Sequence, residues 1–312
     1  MQNLATVATQ VGVLFALMAV GALCRRVRLL DEASVKGIVN VLILAVTPCL
    51  IIDVFQRPFD PAMLRSFGEA FVIVVAAHAA LILLARLTAR GDGRALPVLR
   101  LATVFSNAGF MGFPLEYAIL GPDGVFYGSV YVVVFHLLCW TYGIWEISGG
   151  FGAGGLGKAL VNPGLVGIAL GLPLFLFSVK LPSVVAEPVK TIGDLNTSLS
   201  MVVLGFHLAG AKFGAALRCG GTYIALALRH FVVPLALLAV LALLFRGLDR
   251  TVALAAVIPA AAPVGASVTM FSVRQGGDGR FPSALVAVST LMSILTMPVV
   301  IGFARCLLGV GK

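Results

Sequence analysis

Charge is what this sequence has least of. Asp, Glu, Lys and Arg supply 11% of its 312 residues, while 60% are hydrophobic and the mean hydropathy is +1.07. A soluble domain of this length needs roughly 25% charged residues to cover its surface. Lipid must therefore be part of the solvent. Cysteines are few and scattered: Cys24, Cys49, Cys139, Cys219 and Cys306 show no CxxC spacing. That argues against a metal site or a disulfide framework and leaves them as small apolar residues. Catalytic and nucleotide signatures are missing too. HExxH, GxSxG and GxxxxGKS/T do not occur, so neither an intramembrane enzyme nor ATP-driven transport on this chain is expected. No catalytic residue, metal or cofactor is expected either. No break between apolar runs is long enough for a soluble receptor domain.

Met1 to Cys24 holds no charged residue, so the basic region of a secretory signal is missing. Ala22-Leu23-Cys24 is a poor lipoprotein site because Leu23 is too large. The first run is expected to stay as a span.

What is present is a succession of apolar runs. A span needs about 20 apolar residues, fewer if its ends snorkel. Uncharged stretches give ten candidates: Leu4–Cys24, Gly37–Ile52, Ala70–Ala85, Leu101–Leu115, Val125–Trp145, Ala159–Val179, Leu195–Ala211, Thr222–Phe245, Thr251–Val273 and Phe281–Ala304. The eighth is interrupted by Arg229 and His230. The net charge of +9 first suggests nucleic acid, but the cations sit in the short breaks and not on one amphipathic face. They read better as an orientation signal, with no nucleic-acid partner. Odd breaks hold thirteen Lys and Arg, from Arg25 to Arg280, against six in even breaks, from Arg57 to Arg250. The positive-inside rule then puts the odd breaks in the cytoplasm and both termini outside the inner membrane.

The runs fall into two sets of five, with corresponding starts offset by 150 to 158 residues. The offset predicts an internal duplication: a first repeat over 1–148, a Gly-rich cytoplasmic linker over 149–158, and a second repeat over 159–312. Each half crosses an odd number of times, so the second is inverted relative to the first. Inverted repeats are a transporter device for alternating access. Chance among evenly spaced helices is the competing explanation.

Two runs carry helix breakers at matching places. In the fourth, Ser106-Asn107-Ala108-Gly109-Phe110-Met111-Gly112-Phe113-Pro114 predicts an unwound segment near Gly109–Phe113. Pro114 removes a donor and clashes with the Phe110 carbonyl, and Gly109 and Gly112 are poor helix formers. In the ninth, Pro259, Pro263 and Gly265 precede Ser267. Freed peptide groups cost several kcal/mol in hydrocarbon unless satisfied, so irregular backbone belongs where it lines a cavity. Such paired interruptions point to a transporter binding site, although packing kinks give the same pattern. Half-helix N-termini meeting at mid-depth suit an anion such as a carboxylate. Asn107 can hold that carboxylate or replace a missing backbone bond, and both options stay open. Ser106, Ser267 and Thr269 are weaker candidates, because intramembrane hydroxyls usually bond their own helix.

These residues resemble the auxin efflux carrier family of plants, fungi and bacteria. Asn107, Gly109, Gly112 and Pro114 look like its fourth-helix motif, and Asn162-Pro163 is similar to its sixth helix. Ser289-Thr290-Leu291-Met292-Ser293-Ile294-Leu295-Thr296-Met297-Pro298 looks like its tenth, and Pro259 with its alanines like its ninth. The likeness covers nearly the whole chain in order. It implies an all-α membrane fold of ten helices in two inverted repeats, with broken fourth and ninth helices crossing. It also implies a scaffold of helices one, two, six and seven that usually forms a homodimer contact. The implied substrate is a small organic acid such as malonate or malate, and the implied binding residues are Asn107, Gly109, Gly112, Pro114, Pro259, Pro263 and Ser267. One departure is that Pro263 and Val264 stand where many relatives carry a small or polar residue. The long central loop of some plant members is also absent.

Ionisable groups inside apolar runs default to functional hypotheses. His78, His136 and His207 are expected to make interhelical hydrogen bonds, with a proton relay as the alternative. Arg229 is expected to snorkel, with anion binding or carboxylate pairing as alternatives. Asp53, Glu69, Glu116, Asp123 and Glu146 read as interfacial, none an obvious sodium or proton site. A secondary carrier of a small carboxylate is the expected function. An anion channel is the alternative, because broken helices also line pores.

Overall fold

The computed structural model describes residues 2–91, 93, 95–149, 163–245, 247–274 and 279–309. Apart from Gly149, the linker expected over 149–158 lies outside them. So do Asn162 and the break cations Arg94, Lys158 and Arg246. The described elements are α1 (Gln2–Arg26), α2 (Glu32–Phe55), α3 (Pro61–Thr88), α4 (Ala95–Val104), α5 (Ala108–Leu120), α6 (Pro122–Ser148), α7 (Pro163–Leu176), α8 (Ser183–Ala209), α9 (Gly214–Leu217), α10 (Gly220–Leu244), α11 (Arg250–Ala261), α12 (Ser267–Arg274) and α13 (Arg280–Leu308). Among the described residues the only β-type pairing is one bridge between two chain breaks.

Six helices are long and apolar enough to cross a bilayer: α1 from Ala8, then α2, α3, α6, α10 and α13. Helices α4, α5, α7 and α11 are apolar but shorter. The seventh run proves to be the tail of a longer helix, since α8 starts at Ser183. Its first half carries an exposed Lys190–Asp194 pair (2.8 Å). Caps mark several starts. Asp31 accepts from the Ser34 N–H at 2.8 Å and from its hydroxyl at 2.6 Å ahead of α2, which holds the Asp31 carboxyl below its usual range.

Small residues set the closest helix contacts, as expected where lipid gives helices no hydrophobic reason to associate. Helix α1 lies along α8 at Gly21 and Gly205. A Cβ on Gly205 would stand 1.8 Å from the Met18 carbonyl oxygen, and one on Gly21 2.0 Å from that of Val202. Helix α2 meets α7 where Pro48 and Ile51 face Gly167, and it meets α8 where Leu50 faces Gly193. On the other side of the molecule α6 and α11 pack together, and α3, α10 and α13 border them.

Pro114 does not break its span as expected, and it shares its local geometry with two other prolines. Helices α2, α5 and α10 each contain a π-helical turn, at Leu42–Val46, Ala108–Gly112 and Leu228–Val232. Each turn is followed two residues later by a proline: Pro48, Pro114 or Pro234. The residue before each proline donates five residues back: Thr47 to Leu42, Phe113 to Ala108, and Val233 to Leu228. Widening the turn by one residue makes room for the ring and for the donor it lacks. This corrects the unwound segment expected at Gly109–Phe113. That stretch is a wide helical turn, and the real interruption lies upstream at 105–107. In the ninth run the break at 262–266 is proline-driven. Ala262, just before Pro263, is extended at φ −65°, ψ 152°, because a residue preceding proline is pushed out of the helical region.

Candidate functional site

The two interruptions meet. Ser106 and Val264 form an antiparallel bridge. The Asn107 N–H donates to the Pro263 carbonyl at 2.7 Å, and the Gly265 N–H to the Phe105 carbonyl at 2.9 Å. Backbone groups that would otherwise be orphaned inside the molecule thus satisfy one another. Gly265 makes this approach possible, since a Cβ there would lie 2.8 Å from the Ser106 carbonyl oxygen.

Four helix ends converge at the bridge. Helices α4 and α11 run into it with their C-termini, and α5 and α12 leave it with their N-termini. The C-terminal carbonyls are served by Arg229, which is fully buried in the wide turn of α10. Its Nη1 donates to Thr103 O at 3.1 Å and Val104 O at 3.3 Å, and its Nη2 donates to Ala260 O. A guanidinium suits the negative end of a helix, and here one group serves two such ends. This corrects the snorkelling expected of Arg229. Both terminal nitrogens of its fork bond interior carbonyls, and the side chain is fully buried instead of reaching the interface.

Beside it, His230 holds the second break to α13. Thr296 Oγ1 donates to Met292 O at 3.2 Å, so it accepts from His230 Nδ1 at 2.9 Å. His230 Nε2 then accepts from Ser289 Oγ at 2.8 Å. Ser289 Oγ in turn accepts from the Val264 N–H at 2.9 Å. The other histidines depart from expectation. His78 bonds Val74 O of its own helix at 2.8 Å, with its ring 4.8 Å from that of Tyr131. His136 contacts the Phe135 ring, and His207 is exposed beside Phe206. Interhelical bonding falls to His230 instead, which sequence reasoning noted only as an interruption.

The structure brings several of the proposed binding residues together. Asn107 and Pro263 share the backbone bond, and a Cβ on Gly112 would meet Pro259 at 3.4 Å. The Ser267 hydroxyl opens α12 beside Gly265. A Cβ on Gly109 would meet nothing within 4 Å, so this position faces open space. Pro114 sits two residues beyond the wide turn and away from the bridge. Polar atoms remain without partners at the junction: the Asn107 amide nitrogen, the Ser267 hydroxyl and Arg229 Nε are buried and unbonded. Two carboxylates read as interfacial are interior. Glu146 is almost fully buried between Arg86 (3.3 Å) and Arg100 (2.7 Å), which supply the charge that lets it leave water. Glu116 is buried with no partner for either oxygen.

Comparison with known families identifies the class as a membrane transport protein, in keeping with six apolar helices long enough to cross a bilayer. The family described as Membrane transport protein, the auxin efflux carrier family, matches residues 6–150 and 155–301, and the chain belongs to it. None of the curated proteins matches the chain.

Proposed function

We propose that this chain is a secondary carrier of a small organic anion that works by alternating access at its paired helix breaks. The observation that carries the reading is the break-to-break bridge with the unbonded Asn107 amide nitrogen beside it. Arg229 neutralises the negative ends of α4 and α11, which leaves the positive ends of α5 and α12 for a ligand. The full reading has ten crossings, counting α4 with α5 and α11 with α12 as crossing broken spans in two inverted repeats. The two family matches, of similar length, support the duplication. The cation bias supports cytoplasmic odd breaks, outward termini and an inner-membrane location. A homodimer through α1, α2, α7 and α8 follows from the family resemblance.

Asn107→Ala tests the site. The Asn107 side chain makes no capping bond, so the variant is expected to express and melt like the wild type. Losing a hydrogen bond to a charged ligand costs about 1.5–3 kcal/mol, roughly a ten- to hundredfold loss of affinity. The measurement is counterflow of labelled malonate, malate or indole-acetate in proteoliposomes. Unchanged uptake by the variant makes Asn107 structural only. Flux that never saturates and shows no counterflow makes the protein a pore.

A further inference from the structure

The least explained group in the molecule is Glu116. It lies on α5, one turn short of the Gly121 that ends the helix, and it is 1% exposed. Neither carboxyl oxygen has a hydrogen-bond partner. Its seat is built for it. Gly124 and Gly128, four residues apart on α6, leave a notch. A Cβ on Gly128 would lie 2.1 Å and 2.2 Å from the two carboxyl oxygens, and one on Gly124 would lie 2.6 Å from the Glu116 carbonyl oxygen. The carboxyl therefore fills the space that a side chain on Gly128 would take.

Burying an ion without a partner is far costlier than burying a neutral acid, so Glu116 resides here uncharged. The elements packed against α5 are α1, α6, α8 and α11, with the following titratable or charged groups. Helix α1 carries Cys24, Arg25 and Arg26. Helix α6 carries Asp123, Tyr127, Tyr131, His136, Cys139, Tyr142 and Glu146. Helix α8 carries Glu187, Lys190, Asp194 and His207, and α11 starts at Arg250 after Asp249. None pairs with Glu116, whose two carboxyl oxygens have no hydrogen-bond partner. Among the described residues no cluster of His, Cys, Asp and Glu joins it to hold a metal ion, and a lone carboxyl is a group that takes up and releases a proton. The way out is short. Five residues separate Glu116 from Gly121, about 7.5 Å along the helix.

We propose that Glu116, seated in the Gly124–Gly128 notch, is the proton-binding site that couples this carrier to a pH gradient. The inference rests on the carrier reading above. In the described conformation the acid is loaded. When the far-facing conformation hydrates the notch, the carboxyl O–H bond breaks, the proton passes to water, and the carboxylate remains until it is reloaded. Because Asn107 immediately precedes α5 and Gly109 lies in its first turn, proton occupancy and substrate occupancy act on one half-helix.

The test uses purified full-length protein in proteoliposomes, with malonate, malate and indole-acetate as probes. Infrared spectroscopy of the wild type is expected to show the carbonyl stretch of a protonated acid, diminishing as the pH is raised and missing in Glu116→Gln. Absence of that band in the wild type, or a band that persists at alkaline pH, overturns the proposal. An imposed pH gradient is expected to drive accumulation in the wild type, about tenfold per pH unit for one coupled proton. Glu116→Gln, locked as if loaded, is expected to exchange substrate at symmetrical pH and to accumulate none. A variant that accumulates like the wild type, or one that is inactive even at symmetrical pH, overturns the proposal. A wild type that exchanges none of the acids rejects the anion-carrier reading instead, and the infrared titration alone then decides whether Glu116 binds a proton.

Discussion

Arg229→Met should yield protein that is poorly recovered in detergent and unfolds far below the wild type. Arginine at this position makes three charge-assisted bonds to carbonyls at the ends of two half-helices. Each such bond contributes about 1.5–3 kcal/mol. Burying a guanidinium also has a large desolvation cost, so the sum is not the net effect. Truncation nevertheless leaves the carbonyls of Thr103, Val104 and Ala260 without this donor in a dry interior, and each buried acceptor left unsatisfied costs about 1–3 kcal/mol. Arg229→Lys keeps the charge and loses the fork, so it should fall between the two. Thermal unfolding of the three proteins measures this. A methionine variant that melts with the wild type would mean that other groups satisfy those carbonyls.

Gly265→Ala should be the second most damaging change. The residue has no positive φ, so its backbone tolerates alanine, and the penalty arises entirely across the bridge. The added methyl meets the Ser106 carbonyl oxygen at 2.8 Å and the Ser267 hydroxyl at 3.1 Å. Relief requires the two breaks to separate, which stretches the bonds from Asn107 to Pro263 and from Gly265 to Phe105. Overpacking costs about 1–3 kcal/mol, and each backbone bond lost adds about 0.5–1.5 kcal/mol. Expected results are a lower melting temperature and weaker binding of every acid probe in thermal-shift assays, because both helix N-termini shift together. Normal melting with normal binding would show that the bridge yields without cost.

The interruptions themselves were legible in the sequence because their causes are local. Pro263 expels Ala262 from the helix whatever surrounds it, and the proline–glycine pattern in the fourth run marked the right element. The position of the first break was not legible. Whether a proline opens a helix or merely widens a turn depends on the bonds available upstream, and here Asn107 bonds to Pro263, 156 residues away. Arg229 could be read as costly but not as a cap, since its acceptors come from two other elements. His230, Ser289 and Val264 form their chain through tertiary contact alone. For Glu116, nearness to the end of an apolar run suggested water, yet the glycines of the next helix put it in a dry notch.

The wide turns also have a consequence for how the chain tolerates length changes. Each one holds a residue more than a regular helix would, and in α10 that surplus lies in Leu228–Val232. One residue turns an α-helix by about 100°. Deleting a residue from a regular stretch of these spans would therefore rotate the segment beyond it by more than a quarter circle and swing membrane-facing side chains into the protein interior. Deleting the surplus residue of a wide turn instead lets the coil tighten to a regular helix and leaves the segments on either side in register, at the cost of the room the following proline uses. Single deletions should therefore be better tolerated in these short windows than elsewhere in the spans.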